Sequence, residues 1–199
     1  MSVERGGQVR RHGNPFKGAV ISVSLFLLAS CATDDTYIDP TMDFGSLQTI
    51  AVLPFRNLTN VDHAADRVRD AFTSMLLATG AVYVLPPGEV ARGMALIGRF
   101  SPDGPTVEQI KKLAGVLEVD AVITGVVTEY GLVRSGATSA NVISVSLQMI
   151  ESQTGMVVWS ASTTQGGITV WDRLIGGGGE PMTDVTVKAV NDLLNKLFQ

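Results

Sequence analysis

The sequence contains few of the residues on which catalytic and metal sites depend. Its 199 residues include one cysteine, Cys31, and two histidines, His12 and His63. A single cysteine excludes a disulfide within the chain. His63 stands beside Asp62 and Asp66, but acidic residues and histidines at the predicted start of a helix are commonly solvated capping residues. We therefore expect no metal site and no cofactor.

No catalytic constellation is recognisable either. Pairs such as Ser135-Gly136 have no partner base that would activate the serine. The glycines at 176–179 precede a predicted helix, but Glu180 and Pro181 follow them where a phosphate-binding loop has a lysine and a hydroxyl residue. We predict that the protein is not an enzyme.

Charged residues are sparse, at 17% of the chain. Residues 1–30 contain four basic residues and one acidic residue, so the remaining 169 residues carry 11 basic and 18 acidic residues and a net charge of −7. An acidic chain without a basic stripe lacks the electrostatic footprint of a nucleic-acid-binding protein. A chain of this length is one domain, which buries roughly 70% of its unfolded surface.

The first apolar run is too short to cross a membrane. It extends from Gly18 to Ala29 and covers 12 residues, whereas a membrane-spanning helix needs about 20. The segment before it contains a single acid and four basic residues: Arg5, Arg10, Arg11 and Lys17. A basic lead before a short apolar run is typical of an export signal. We predict that residues 1–30 are a cleaved signal peptide.

The end of that segment, Leu28-Ala29-Ser30-Cys31, resembles the lipobox of bacterial lipoproteins. The resemblance implies cleavage before Cys31 and attachment of a diacylglyceryl group, with fatty acids such as palmitate, to its sulfur. Two or three acyl chains form a lasting anchor, whereas one gives only marginal binding. In many lipoproteins an acidic residue directly after this cysteine retains the protein at the inner membrane. Ala32 stands there instead, which implies the outer membrane, periplasmic face.

A polar, turn-rich stretch without periodicity follows the cysteine. We predict that residues 31–45 are the lipidated N-terminus and a tether, and that residues 46–199 form the periplasmic domain. A tether of about 14 residues reaches at most some 45 to 50 Å when fully extended. The membrane, reached through the lipid anchor, is thus the first expected partner.

The apolar patterns of residues 46–199 predict strands and helices packed on one sheet. Buried or half-buried strands are predicted at 49–55, 83–85, 120–130, 142–150 and 156–163, the last two joined by a hairpin that Gly155 closes. Helices are predicted at 62–79 with Asn60 and Asp62 as candidate N-caps, at 86–98, at 106–117 with a capping box of Thr106 and Gln109, and from Glu180-Pro181 onward. The order is β-α-β-α-α-β-β-β-α. This is an α+β fold, an αβ sandwich with one mixed sheet of about five strands.

Three stretches carry a wider resemblance: 50–59 (IAVLPFRNLT), 120–130 (DAVITGVVTEY) and 146–160 (SLQMIESQTGMVVWS). In this order and spacing they resemble the periplasmic lipoproteins of the CsgG and LpoB type, whose domain is similar to the amino-terminal domain of TolB. The resemblance covers residues 46–199 and rests on fold, not on catalytic residues. It implies a secretion-channel subunit, an activator of a peptidoglycan synthase or another cell-surface lipoprotein.

The sequence differs from the channel subunits, which insert long amphipathic hairpins into this domain. Each strand that crosses a bilayer needs about 9 to 11 residues. The connection at 132–141 has ten residues in all, without an alternating pattern, and the loop at 166–179 is also short. We therefore do not expect a pore formed by this chain.

One loop is a candidate contact surface. Within 166–175 (GGITVWDRLI), the apolar residues are Ile168, Trp171, Leu174 and Ile175. They can form a small core cluster beneath the loop, or an apolar patch that contacts a partner or the lipid surface. Both alternatives remain open at this point.

These features predict a non-catalytic, outer-membrane-anchored lipoprotein of the cell envelope. It would act as an accessory or assembly factor by contact with another envelope protein, for example in activating a cell-wall synthase or supporting a secretion complex. The alternative is a self-assembling subunit, a homo-oligomer, of a CsgG-like secretion complex.

Overall fold

The computed structural model describes residues 2, 36–98, 100, 104–135, 138–167 and 179–199. The chain divides into two compact units, Met1–Asp34 and Asp35–Gln199. Apart from Ser2, the described residues all belong to the second unit. The predicted boundaries of the signal peptide and of the tether stay predictions.

Within the described ranges the second unit has seven strands and four helices. The strands are β1 (Thr36–Ile38), β2 (Thr49–Val52), β3 (Arg56–Asn57), β4 (Tyr83–Val84), β5 (Ala121–Ser135), β6 (Thr138–Glu151) and β7 (Val157–Gly166). The helices are α1 (Ala64–Thr79), α2 (Pro87–Ile97), α3 (Val107–Leu117) and α4 (Met182–Leu197). A short 3₁₀ turn spans Phe44–Ser46.

All seven strands belong to one mixed sheet with the order β1-β7-β6-β5-β2-β4, and β3 also pairs with β5. Strands β2 and β3 run parallel to β5, and β4 runs parallel to β2. The pairs β5–β6, β6–β7 and β7–β1 are antiparallel. The α+β class and the single mixed sheet are confirmed. The sheet has seven strands where about five were expected, because β1 and β3 are too short to produce a period.

Strands β5 and β6 are longer than the sequence predicted. Their pairing continues beyond Tyr130 and Val142 to Ser135 opposite Thr138. The stretch 132–141, expected to be a connection, is therefore largely strand. Its residues show no alternation of apolar and polar side chains. It is a strand because backbone hydrogen bonds pair it with the neighbouring strand.

Helix starts follow the local signals in one case and depart from them in another. Thr106 accepts a hydrogen bond from the backbone N–H of Gln109, and the Gln109 side chain accepts one from the N–H of Thr106, so the predicted capping box of α3 is confirmed. Helix α1 instead begins after His63, which adopts a left-handed φ of 59° and caps no backbone N–H with its side chain. The prediction of Asn60 or Asp62 as the N-cap was wrong. Both residues precede the first turn of the helix and lie in or next to a turn in which the Asn57 side chain donates to the carbonyl of Val61.

Helices pack on both faces of the sheet, and each face has its own core cluster. Helices α1 and α4 pack on one face around Phe72, Leu147 and the fully buried Trp159. The indole Nε1 of Trp159 donates to the carbonyl of Lys196 at 3.0 Å, which satisfies its polar atom in the core. Helices α2 and α3 cover part of the opposite face, with a second core cluster that includes Leu113.

The first strand lies within the stretch expected to be a tether. Its residues pair with β7, and the N–H of Asp39 donates to the carbonyl of Val158 at 2.8 Å. Met42 and Phe44 pack against the main core cluster. The described sheet therefore includes Thr36–Ile38, which lie within the stretch predicted to be the tether.

Candidate functional site

One end of the sheet holds both described flanks of the candidate contact loop. It is the end at which β5 finishes and β6 begins, and we call it the hairpin end. Val142 of β6 lies opposite both Gly131 of β5 and the last residue of β7, Gly166. Beyond that level the paired residues 132–135 and 138–141 continue as a projecting hairpin. At about 3.4 Å per residue the projection is about 14 Å long.

The flanks of the candidate contact loop are fixed at this end by Asn141. The N–H of Gly167 donates to the backbone carbonyl of Asn141 at 2.8 Å, and the Asn141 amide donates to the carbonyl of Glu180 at 2.7 Å. On the far side of the loop, Gly179 lies so close to Ala140 that an added Cβ would be 2.6 Å from its Cα. The chain therefore leaves the described fold and re-enters it beside the same stretch of β6.

The glycine at the end of β7 is required by geometry. Gly166 has a φ of +84°, and an added Cβ would lie 2.1 Å from the carbonyl oxygen of Asn141. Only glycine combines this backbone conformation with so close an approach. The backbone conformation of Gly166, just before the contact loop, is thus fixed by its packing against β6.

The described domain begins at β1, in the middle of the sheet. β1 is antiparallel to β7, and Thr36 lies opposite Ala161. Cys31 precedes Thr36 by five residues. Five extended residues span about 17 Å at most, which is also the length of β7 from Ala161 to Gly166.

The residues that the sequence singled out lie outside the described ranges. They are the lipobox residues Leu28, Ala29 and Ser30 with Cys31, and the loop residues Ile168, Trp171, Leu174 and Ile175. The described residues place both flanks of the contact loop at the hairpin end. Whether Trp171 belongs to a core cluster or to an exposed patch stays a prediction.

The structure adds an apolar surface that the sequence reasoning missed. Leu132 and Val133 on the projecting hairpin are 56% and 46% exposed, and Leu58 beside them is 55% exposed. A cavity of about 320 Å³ lies between the loop after β3 and this hairpin, lined by Val61, Tyr130 and neighbouring residues. The only signal in the sequence was a pair of consecutive apolar residues in a presumed connection.

The polar residues near this end form surface contacts. His63 Nδ1 lies 3.2 Å from Asp66 Oδ2, with both side chains largely exposed. Among the described residues, no group of three His, Cys, Asp or Glu side chains is arranged to hold a metal ion. Lys188 pairs with Glu180 at the start of α4, beside the re-entry of the loop.

Two carboxyl groups elsewhere have a lowered pKa. For Asp39 the cause is first the backbone N–H of Thr41 and then the Thr41 hydroxyl, both of which donate to the carboxylate. For Glu108, hydrogen bonding to its own backbone N–H and to Thr106 at the start of α3 lowers the pKa. Both groups are solvent-exposed and stabilise a turn and a helix start. Neither lies at the hairpin end.

Within the described part of the chain, no helix combines the length and apolar character that a membrane span requires.

Comparison with known proteins identifies shared architecture. No model of a known protein family matches the chain, and no curated protein sequence matches it. Among solved structures, a dodecamer of a PelC variant from Paraburkholderia phytofirmans is similar at 20% identity and a TM-score of 0.55, covering 81% of this chain and 96% of that one. Lipoprotein GNA1162 from Neisseria meningitidis is similar at 22% identity and a TM-score of 0.51, covering 74% and 99%.

The C-terminal domain of LpoB from Salmonella enterica is a more distant neighbour. It is 16% identical with a TM-score of 0.46, and the match covers 63% of this chain and 86% of that domain. At these identities the PelC and GNA1162 likenesses show a common fold and nothing finer. Of the proteins in the expected resemblance, LpoB is a structural neighbour, and another neighbour is a lipoprotein. The likeness to CsgG and TolB stays a prediction.

Proposed function

We propose that this chain is a non-catalytic lipoprotein of the bacterial envelope, anchored by acyl chains on Cys31 in the outer membrane and facing the periplasm. In this proposal it acts as an accessory or assembly factor by contact with another envelope protein. The observation that carries the proposal is the short apolar run that ends in the chain's single cysteine. The fold it shares with lipoprotein GNA1162 is consistent with it.

The contact surface in this proposal is the hairpin end with the loop that contains Trp171. Support comes from the described flanks of that loop, which Asn141 binds to the sheet on both sides. Fixing both ends of a loop lowers the conformational entropy that its ordering on binding would cost.

Replacement of Trp171 by alanine tests the contact surface. If the loop binds a partner, W171A keeps the thermal unfolding midpoint of the wild type and loses a crosslink to that partner in whole cells. If Trp171 belongs to a core cluster, W171A lowers the midpoint and no partner surface is supported. Replacement of Leu77, which is 56% exposed on α1, by alanine is the control and leaves both readouts unchanged.

A self-assembling subunit is the second candidate, and one observation favours it. The PelC structure with which this chain shares its fold is a dodecamer. Light scattering of the detergent-extracted, lipidated protein distinguishes the candidates. A single protomer supports the accessory protein, whereas a closed ring of many copies supports the self-assembling subunit.

A further inference from the structure

The two long edges of the projecting hairpin differ. On the β6 side, the N–H of Gly167 donates to the carbonyl of Asn141, so a flank of the contact loop lies along that edge. On the β5 side, the neighbouring segment ends its pairing where the N–H of Leu58 donates to the carbonyl of Val127. Among the described residues, no strand pairs with this side of β5 beyond Val127.

The pairing pattern shows which backbone groups of β5 are left without a partner strand. Successive residues of an antiparallel strand direct their backbone groups alternately to the two sides. The carbonyl of Asn141 is directed away from β5, because it accepts from Gly167. Leu132 lies opposite Asn141, so its N–H and C=O also point away from the β5–β6 ladder. The same holds for Arg134, two residues further on, and we call Leu132–Arg134 the open edge.

The side chains of the open edge are apolar where edge strands commonly carry protective groups. Natural sheets blunt their edges with lysine, proline or inward-pointing charges. Here Leu132 and Val133 are both exposed, and since consecutive strand residues point to opposite faces, both faces of the edge are apolar. Arg134 is also exposed, and no described carboxylate forms an ion pair with it. Such an edge is a template for a further strand.

The cavity of about 320 Å³ lies at the base of the open edge, between the hairpin and the loop after β3. Gly131 contributes no side chain to it, and a Cβ added there would be 3.7 Å from Val61. Leu58, Val61 and Val142 supply apolar parts of its wall. A cavity of about 150 Å³ is enough for benzene, so this one has room for an apolar side chain.

We infer that the open edge pairs with an extended segment of the partner protein, which adds a strand to the projecting hairpin. Main-chain hydrogen bonds to Leu132 and Arg134 give such a contact its affinity, and side-chain pockets give its specificity. The segment places an apolar side chain in the cavity and an acidic residue beside Arg134. This inference rests on the proposed contact with an envelope protein and adds the way in which that contact is made.

Proline and alanine at position 132 separate a backbone contact from a side-chain contact. Benzoylphenylalanine in place of Leu58 crosslinks the full-length, lipidated protein to its partner in whole cells, and the same group in place of Leu77 is the control that gives no such product. Leu132→Pro removes the N–H that faces the open edge and leaves the ladder to β6 intact, which is where a strand tolerates proline. Leu132→Ala keeps that N–H.

We expect L132P to lower the yield of the crosslinked product about tenfold or more, because it removes a hydrogen bond and its ring obstructs the added strand. L132A should lower the yield much less, and both variants should keep the thermal unfolding midpoint of the wild type. A folded L132P protein with the wild-type yield would overturn the inference and leave the proposed contact intact. Equal losses in the two variants would also overturn it, because the side chain would then make the contact.

Two other products would contradict the inference in different ways. A product with the mass of two copies of this chain would assign the open edge to a second copy. If palmitate-labelled protein gives no crosslinked product from position 58 or from position 171, the proposed contact itself is refuted and the inference with it.

Hydrogen exchange provides a second measurement that does not depend on the folding of L132P. The product crosslinked through position 58 is purified with its partner and compared with the free protein. Exchange of the Leu132 and Arg134 amides should slow about tenfold or more in the complex, whereas the Val133 amide, already directed to β6, should change little. Equal exchange of the Leu132 amide in both forms would contradict an added strand.

Discussion

Thr36 lies directly opposite Ala161 in the antiparallel pair of β1 and β7. This pairing makes Thr36–Ile38, part of the stretch expected to be a tether, the edge strand of the sheet. Only four residues, 32–35, separate Thr36 from the predicted lipidated cysteine. Under the proposed lipidation, a link of four residues would keep the domain near the membrane, whereas a long tether would let it search freely.

The turn after β7 provides a matched pair of glycine variants. Gly166 and Gly167 both have a left-handed φ, but an added Cβ meets the Asn141 carbonyl only at Gly166 and has open space at Gly167. We expect G167A to lower the free energy of unfolding by about 1 to 2 kcal/mol through backbone strain. G166A adds a clash with backbone and lowers it by about 3 kcal/mol or more. Urea unfolding measures both, and equal losses would show that the approach of Gly166 to Asn141 is unimportant.

Asp120 joins the starts of β2 and β5. Its Oδ2 accepts hydrogen bonds from the N–H groups of Gln48 and Thr49, at 2.8 and 2.9 Å. Because hydrogen bonds to charged groups contribute about 1.5 to 3 kcal/mol, we expect D120A to lower the free energy of unfolding by about 2 kcal/mol. D120N keeps an acceptor oxygen and loses less. Replacement of exposed Asp62 by alanine is the control, with a change within about 0.5 kcal/mol.

The turn after β1 makes the stability of the domain depend on pH. The backbone N–H and then the hydroxyl of Thr41 lower the pKa of Asp39 below its ordinary value of 3.8. A lowered folded-state pKa contributes stability above the unfolded-state value, and that contribution disappears as the pH falls through the folded-state pKa. T41A removes the hydroxyl and keeps the N–H, so the pKa of Asp39 should rise part of the way toward 3.8. NMR titration of the Asp39 carboxyl, with T154A as the control, measures this rise, and an unchanged pKa in T41A would contradict it.

The elements that the sequence predicted correctly are those with local signals. The capping box of Thr106 and Gln109 uses residues three apart, and Gly155 has the positive φ, 72°, that the β6–β7 hairpin was expected to need. The alternation at 142–150 placed β6 with the right face toward the core, because burial on one face fixes the register of a strand. In each case the deciding interaction lies within a few residues along the chain.

The elements that escaped prediction depend on distant partners. Strand β1 has three residues and β3 has two, and both exist because β7 and β5 offer free backbone groups to them. The extension of β5 through Leu132 is likewise set by pairing with β6. For the same reason the exposed residues of the projecting hairpin could not be recognised from the sequence. The motif at Cys31 is contiguous and gives a local signal, and its lipidation stays a prediction.

Metabolic labelling with radioactive palmitate, applied to the wild type and to Cys31→Ser, tests the lipid anchor most directly. We predict that the wild type is labelled and is recovered with the outer membrane. C31S should carry no label and keep its residues 1–30. An unlabelled wild type, or a C31S protein that is processed and located as the wild type is, would contradict the anchor and every proposal that depends on it.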